Sequence, residues 1–299
     1  MDETLRLTKD WFTKRAKSWL DDSHDGEVAL RHAMNKARAA VDRKVITDVS
    51  VVKTEYADSD QTILRVHVIE HIRYLYEIGT VVEHEERRIP HVLTWQKGHD
   101  LPVHHEQSSE AMPDDLFDAD NESSLFVPPV SSPLYRHGYD RILALKYAER
   151  WWNARNPEYT NMGVDCTNYI SQILHAGGFS FVGGVNRTAG WWYRFGSNSN
   201  WSFSWSVAHA LAAMMTHEAN PFHAQIVQRP EELMIGDMIS YDWDGTGRYT
   251  HSTVVTARDA NGYPLVNAHT VDSHKRFFSY EDSYAWTPST RYLFTHFKD

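Results

Sequence analysis

The stretch Gly163-Val164-Asp165-Cys166-Thr167-Asn168-Tyr169-Ile170-Ser171-Gln172-Ile173-Leu174-His175-Ala176-Gly177-Gly178 holds the only cysteine of 299 residues. It reads as a helix with the thiol in its first turn. Asp165 suits the N-cap, where its carboxylate can accept from free amides. Ile170, Ile173, Leu174 and Gly177 recur at helical spacing, so one face is apolar or small. Gly177-Gly178 supplies a left-handed stop. A thiol at a helix start faces unpaired amides and the positive end of the dipole, which lowers its pKa and favours thiolate. Two readings stay open on this stretch alone: a nucleophile, or a small buried apolar residue.

Working outward, Ile142, Leu145, Ala148, Trp151 and Trp152 form an apolar helical stripe that starts at Asp140 and ends at Asn156-Pro157. After the cysteine helix come Trp191, Trp192 and Trp205 in a loop-like, aromatic-dense region. Such rings line a groove or fill a core; the expectation here is a groove beside the thiol, with Asp165 and Asn168 also facing substrate. A helix is read at 206–218. Strands are read at 233–241, 251–256, 263–270 and 292–297, with a tight turn at Asn261-Gly262.

Upstream, residues 4–42 read as two helices. Residues 46–56, 63–76, 80–88 and 91–96 read as strands. The clearest is 63–76, where Leu64, Val66, Val68, Ile72, Tyr74 and Tyr76 alternate with Arg65, His67, His71 and Arg73. Residues 98–133 gather five prolines and an acidic run and read as a linker, with His104-His105 as solvated loop. The fold class is therefore α+β: a smaller N-terminal domain over 1–97, the linker 98–133, and a second domain over 134–299.

Charge supports this division. Residues 1–130 carry 25 acidic and 16 basic side chains, and 131–299 carry 15 and 14. An acidic chain with no basic stripe argues against nucleic acid as a partner. No apolar run is long enough for a membrane span. One cysteine excludes an intrachain disulfide framework. Met1 to Asp10 is polar and lacks a signal-peptide core, so either the protein stays inside the cell or a leader is missing from this chain.

His251 opens one strand and His269 ends the next, and a hairpin at Asn261-Gly262 can bring the two ends together. A helix-start thiol packed on a sheet that bears a histidine suits thiol acyl transfer: the imidazole takes the thiol proton and later protonates the leaving group. His269 or Asn267 could orient that imidazole. No His-Glu-x-x-His segment or cysteine cluster occurs, and His84-Glu85-Glu86-Arg87-Arg88 misses that spacing. Neither zinc hydrolysis nor a cofactor is expected.

The segments Asp165-Cys166-Thr167-Asn168-Tyr169-Ile170-Ser171-Gln172, Trp191-Trp192-Tyr193, Gly236-Asp237-Met238-Ile239, His251-Ser252-Thr253-Val254-Val255 and Asn267-Ala268-His269-Thr270 resemble the bacterial "putative amidase domain" family over residues 140–297. That family is placed with papain-like cysteine peptidases and is related to CHAP-type peptidoglycan amidases. The resemblance implies Cys166 as nucleophile, His251 as base and His269 as third member. It implies a cysteine amidohydrolase or peptidase acting on a peptide or peptidoglycan-like substrate. The alternatives are a non-catalytic peptide- or glycan-binding module and an acyltransferase using the same cysteine.

Overall fold

The computed structural model describes residues 2–20, 26–108 and 138–298. Residues 109–133 of the stretch read as linker lie outside the described residues. The chain is α+β and divides into two compact units: residues 1–109 with 271–276 and 280–284, and residues 110–270 with 277–279 and 285–299. Two short late segments thus belong to the first unit, which a single division at the linker 98–133 does not anticipate.

In the first unit, helices α1 (Asp2–Ser18) and α2 (Glu27–Ala37) precede strands β1 (Ala40–Tyr56), β2 (Ile63–Ile78), β3 (Val81–Gln96) and β4 (His104–Gln107). β1, β2 and β3 form an antiparallel meander. β4 pairs with one end of β3, at His91 to Thr94, and β11 (Asp272–Phe277) pairs with the other, at Glu86 to Arg88. The alternation in β2 is as read: Leu64, Val66, Val68, Ile72, Tyr74 and Tyr76 are buried. Phe12 packs on Leu64, Val66 and Val68, and Trp19 packs on Ile72 and Tyr74.

Pro90 does not split β3 as the sequence suggests. Its carbonyl accepts from Ser108 N–H at 3.0 Å, on the β4 side. In a strand the N–H of a residue points the same way as its carbonyl, so the missing donor faces the end of β4 and no bond to β2 is lost. Residues 104–107, read as loop, form β4 because they find this edge. His105 is half-buried, with Nε2 2.9 Å from Nδ1 of His91. Burial and the neighbouring His91 push the His105 imidazole down to about 4.

The buried face of this sheet is not purely apolar. Glu70 interrupts the stripe, fully buried, and takes bonds from Arg15 (2.6 Å), Thr47 (2.8 Å) and His91 (3.1 Å). Arg31 holds Asp42 through two bonds, at 2.9 and 3.0 Å, and Glu85 at 3.0 Å, with its guanidinium 3.6 Å from the centre of the Tyr74 ring. Asp282 accepts from Arg87 and, at 2.9 Å, from Arg276. A buried carboxylate costs several kcal/mol to desolvate unless it is paired and hydrogen-bonded, and here each has a partner.

The second unit has a five-stranded antiparallel sheet in the order β10 (Pro264–Ala268), β9 (His251–Arg258), β8 (Met238–Asp242), β12 (Arg291–Phe297), β7 (Ala224–Val227). Among the described residues, four α-helices accompany it: α3 (Arg141–Trp151), α4 (Cys166–Ala176), α5 (Phe203–Ser206) and α6 (Ala208–Thr216). β5 (Tyr193–Arg194) and β6 (Asn200–Trp201) make a small separate ladder. Asp140 caps α3, accepting from the Ile142 and Leu143 amides at 3.0 and 2.9 Å. The helix read at 206–218 breaks at Val207, which is extended and separates α5 from α6. Ile170, Ile173 and Leu174 of α4 pack in one core with Met238, Val254 and Phe297 of the sheet.

Burial opposes ionisation of Asp282, but Arg87, Arg276 and Arg31 outweigh it and hold the carboxyl far below its ordinary range. Its stabilisation is therefore present above the unfolded carboxyl pKa of about 3.9 and is lost as pH falls below that. Asp282→Asn leaves buried arginines short of charge. It should cost about 3–5 kcal/mol in urea unfolding at neutral pH, and should flatten the acid limb of stability. An unchanged midpoint would contradict this role.

Candidate active site

Cys166 is the first residue of α4 and is 1% exposed. Its Sγ lies 3.7 Å from Thr167 Oγ1, and that hydroxyl lies 3.4 Å from Ser252 Oγ. The Ser252 backbone N–H and the Thr270 hydroxyl approach the sulfur closely enough to favour its charged form, although Thr270 Oγ1 makes no full hydrogen bond. Burial outweighs these groups and pushes the thiol up from its ordinary value. The dipole argument, which expects a lowered pKa, loses here because desolvation of a fully buried sulfur exceeds what a helix end supplies.

Asp165 precedes the helix but does not cap it with its side chain. Its carboxylate instead gathers three partners. Oδ1 accepts from Asn168 Nδ2 at 2.7 Å. Oδ2 meets His269 Nδ1 at 2.5 Å and Arg155 Nε at 3.0 Å. The other His269 nitrogen, Nε2, lies 2.7 Å from the Trp151 carbonyl. A carbonyl only accepts, so Nε2 donates to it. The ring stacks on Tyr169 at 3.8 Å between centroids. Both ring nitrogens of His269 are thus committed to other groups, which leaves none to orient His251.

Asn168 is equally committed. Its amide donates to Asp165 and to the Thr160 carbonyl (3.2 Å) and accepts from Trp205 Nε1 (2.8 Å). Asp165 and Asn168 therefore organise the helix start, where the sequence suggested substrate contact. Asn267 Oδ1 accepts from Thr256 at 2.9 Å, and its Nδ2 donates to Glu149 Oε1 at 3.3 Å.

The tryptophan groove is corrected. Trp191, Trp192 and Trp205 are 0%, 2% and 0% exposed. Trp191 Nε1 donates to Ser171 Oγ at 3.0 Å, and Ser171 Oγ donates to the Trp205 carbonyl at 2.8 Å. Trp192 Nε1 donates to the Ala189 carbonyl at 3.0 Å. With their N–H groups satisfied inside, all three rings are buried, and Trp191 and Trp205 share one core with Ile170, Ile173 and Leu174 of α4.

His251 opens β9 and is fully buried. Its ring lies 5.4 Å from Tyr241 and 5.9 Å from Trp243, centroid to centroid. The peptide joining His251 to Ser252 borders the thiol, since the Ser252 N–H reaches the sulfur. Thr270 has φ +87°, a conformation that costs a β-branched residue about 1–3 kcal/mol. Sequence reasoning did not single out Arg155, Thr167, Ser252 or Thr270 for this site. Thr167, Ser252 and Thr270 each directly follow a chosen residue, but Arg155 leaves no local signal.

Residues 138–295 match the family described as "Putative amidase domain". Over 161 residues the chain is 50% identical to "Uncharacterized protein YhbB" of Bacillus subtilis (strain 168), covering 54% of this chain and 51% of that protein. The chain therefore spans about half the length of that relative. No solved structure matches the chain.

A raised thiol pKa has a direct readout. Alkylation of native Cys166 at pH 7.5 should be far slower than that of a free thiol with pKa about 8.5. Its rate should climb on raising the pH further, and unfolding should abolish the difference. Labelling as fast as a free thiol at neutral pH would contradict the buried, protonated state.

Proposed function

Since the chain belongs to the "Putative amidase domain" family, we propose that it hydrolyses an amide bond in a peptide or peptidoglycan-like substrate, with Cys166 as nucleophile and His251 as base. The family description supports amide hydrolysis. The observation that carries the cysteine mechanism is the sole thiol of the chain in the first turn of α4, its sulfur bordered by the peptide that joins His251 to Ser252. A helix-borne thiol on an antiparallel sheet that bears a histidine is also what a papain-like reading of this unit requires.

His251 accepts the Cys166 proton, and the thiolate attacks the carbonyl carbon. The oxyanion so formed takes a hydrogen bond from the Cys166 amide at the helix start. Collapse breaks the C–N bond, and His251 returns the proton to the leaving amine, which leaves a thioester on Cys166. Water, deprotonated by His251, attacks the thioester and restores the thiol. In this reading His269 is a positioning residue: paired with Asp165, it fixes where α4 begins. Burial of the three tryptophans removes the basis for a purely aromatic binding groove. Acyl transfer on the same thioester differs only in the acceptor, and an added amine tests for it.

Mass spectrometry of defined peptides and muropeptides incubated with the intact protein tests the proposal. Cys166→Ala should abolish turnover, since no other thiol is present. His251→Ala should lower kcat by about 10²–10⁴-fold. His269→Gln should lower kcat less and should lower thermal stability as well. Full activity of Cys166→Ala would overturn it.

A further inference from the structure

We propose that His84, Glu86 and His274, all in the first unit, form a binding site for a divalent transition-metal ion. One donor atom from each lies within 4.8 Å of the others. Metal–ligand bonds of about 2.0–2.2 Å to imidazole and carboxylate bring such atoms within about 4.4 Å of each other, so small side-chain rotations complete the geometry. The backbone supplies the convergence. His84 and Glu86 are two apart on β3 and share a face. His274 on β11 sits directly opposite Glu86 in the antiparallel register. His84 is then its diagonal neighbour, with the two rings 5.5 Å apart.

Two further features favour an ion. His71 on β2 holds Glu86 Oε2 through Nε2 at 2.7 Å, the kind of outer hydrogen bond that fixes a ligating carboxylate. Burial is graded: His274 is buried, Glu86 intermediate and His84 exposed. The ion would reach water on one side, where solvent completes its coordination. Two imidazoles and one carboxylate suit zinc and its first-row neighbours over calcium or magnesium, which prefer all-oxygen shells. The alternate residues Glu85 and Arg87 point to the buried face, where they belong to the arginine network. Bound metal would thus clasp β11 to β3 from the side opposite the arginines, and binding would stabilise the fold.

Calorimetric titration of the full chain with Zn²⁺ tests this, in a Cys166→Ala background that removes the only thiol. The expected result is one ion per chain and a raised melting temperature. His84→Gln alters an exposed side chain, so the fold is not at stake, and it should weaken binding at least 100-fold. His71→Gln, which only loosens Glu86, should weaken it about 10- to 100-fold. The visible absorption of the Co²⁺-loaded protein should disappear in His84→Gln. No ion bound by the parent chain, or affinity unchanged in His84→Gln, overturns the proposal.

Discussion

The bond between the Asp165 carboxylate and His269 joins the residue before the thiol helix to the residue just after β10, at 2.5 Å and out of contact with water. Arg155, Asn168 and the Trp151 carbonyl complete the cluster. Cys166 follows Asp165 and Thr270 follows His269, so whatever fixes the pair fixes both neighbours. The unusual backbone of Thr270 lies at this junction, as strain often does beside a functional site. The helix start gains its rigidity from this carboxylate, where an ordinary cap would spend it on first-turn amides.

The first unit solves a similar problem on a larger scale. Its sheet buries Glu70, Glu85 and Asp282 together with Arg31, Arg87 and Arg276. Such networks are weak evidence of added stability over an apolar core, but breaking one partner is costly. The arginines also stack on aromatic rings, Arg31 on Tyr74 and Arg276 on Tyr280, which offsets part of the lost hydration.

Where hydrophobic pattern decides structure, the sequence is legible. The alternation of β2, the apolar face of α4 and the turn at Asn261-Gly262 all fold as read, because each buries the side that its period marks. β11 is hidden for the opposite reason: Asp272 to Phe277 is mostly polar, and its Ser273, His274 and Arg276 are buried in spite of it. Pro90 misleads because a proline's cost depends on which neighbour its missing N–H would face. At the candidate site, residue types single out Cys166, His251 and His269, but their bonding partners follow from three-dimensional neighbours. Arg155 and the Trp151 carbonyl, which bind Asp165 and His269, leave no trace in spacing. The tryptophans near the thiol turn inward because the indole N–H groups find acceptors there.

The central claim is covalent catalysis by Cys166 with His251 as its proposed base. Rapid acid quenching followed by intact-mass and peptide analysis, on a substrate that the protein turns over, tests it most directly. The account predicts a mass gain equal to the acyl portion of the substrate, mapped to the peptide that contains Cys166 and discharged by hydroxylamine. Turnover that persists after Cys166 is fully alkylated, or an adduct mapped to another residue, would contradict it.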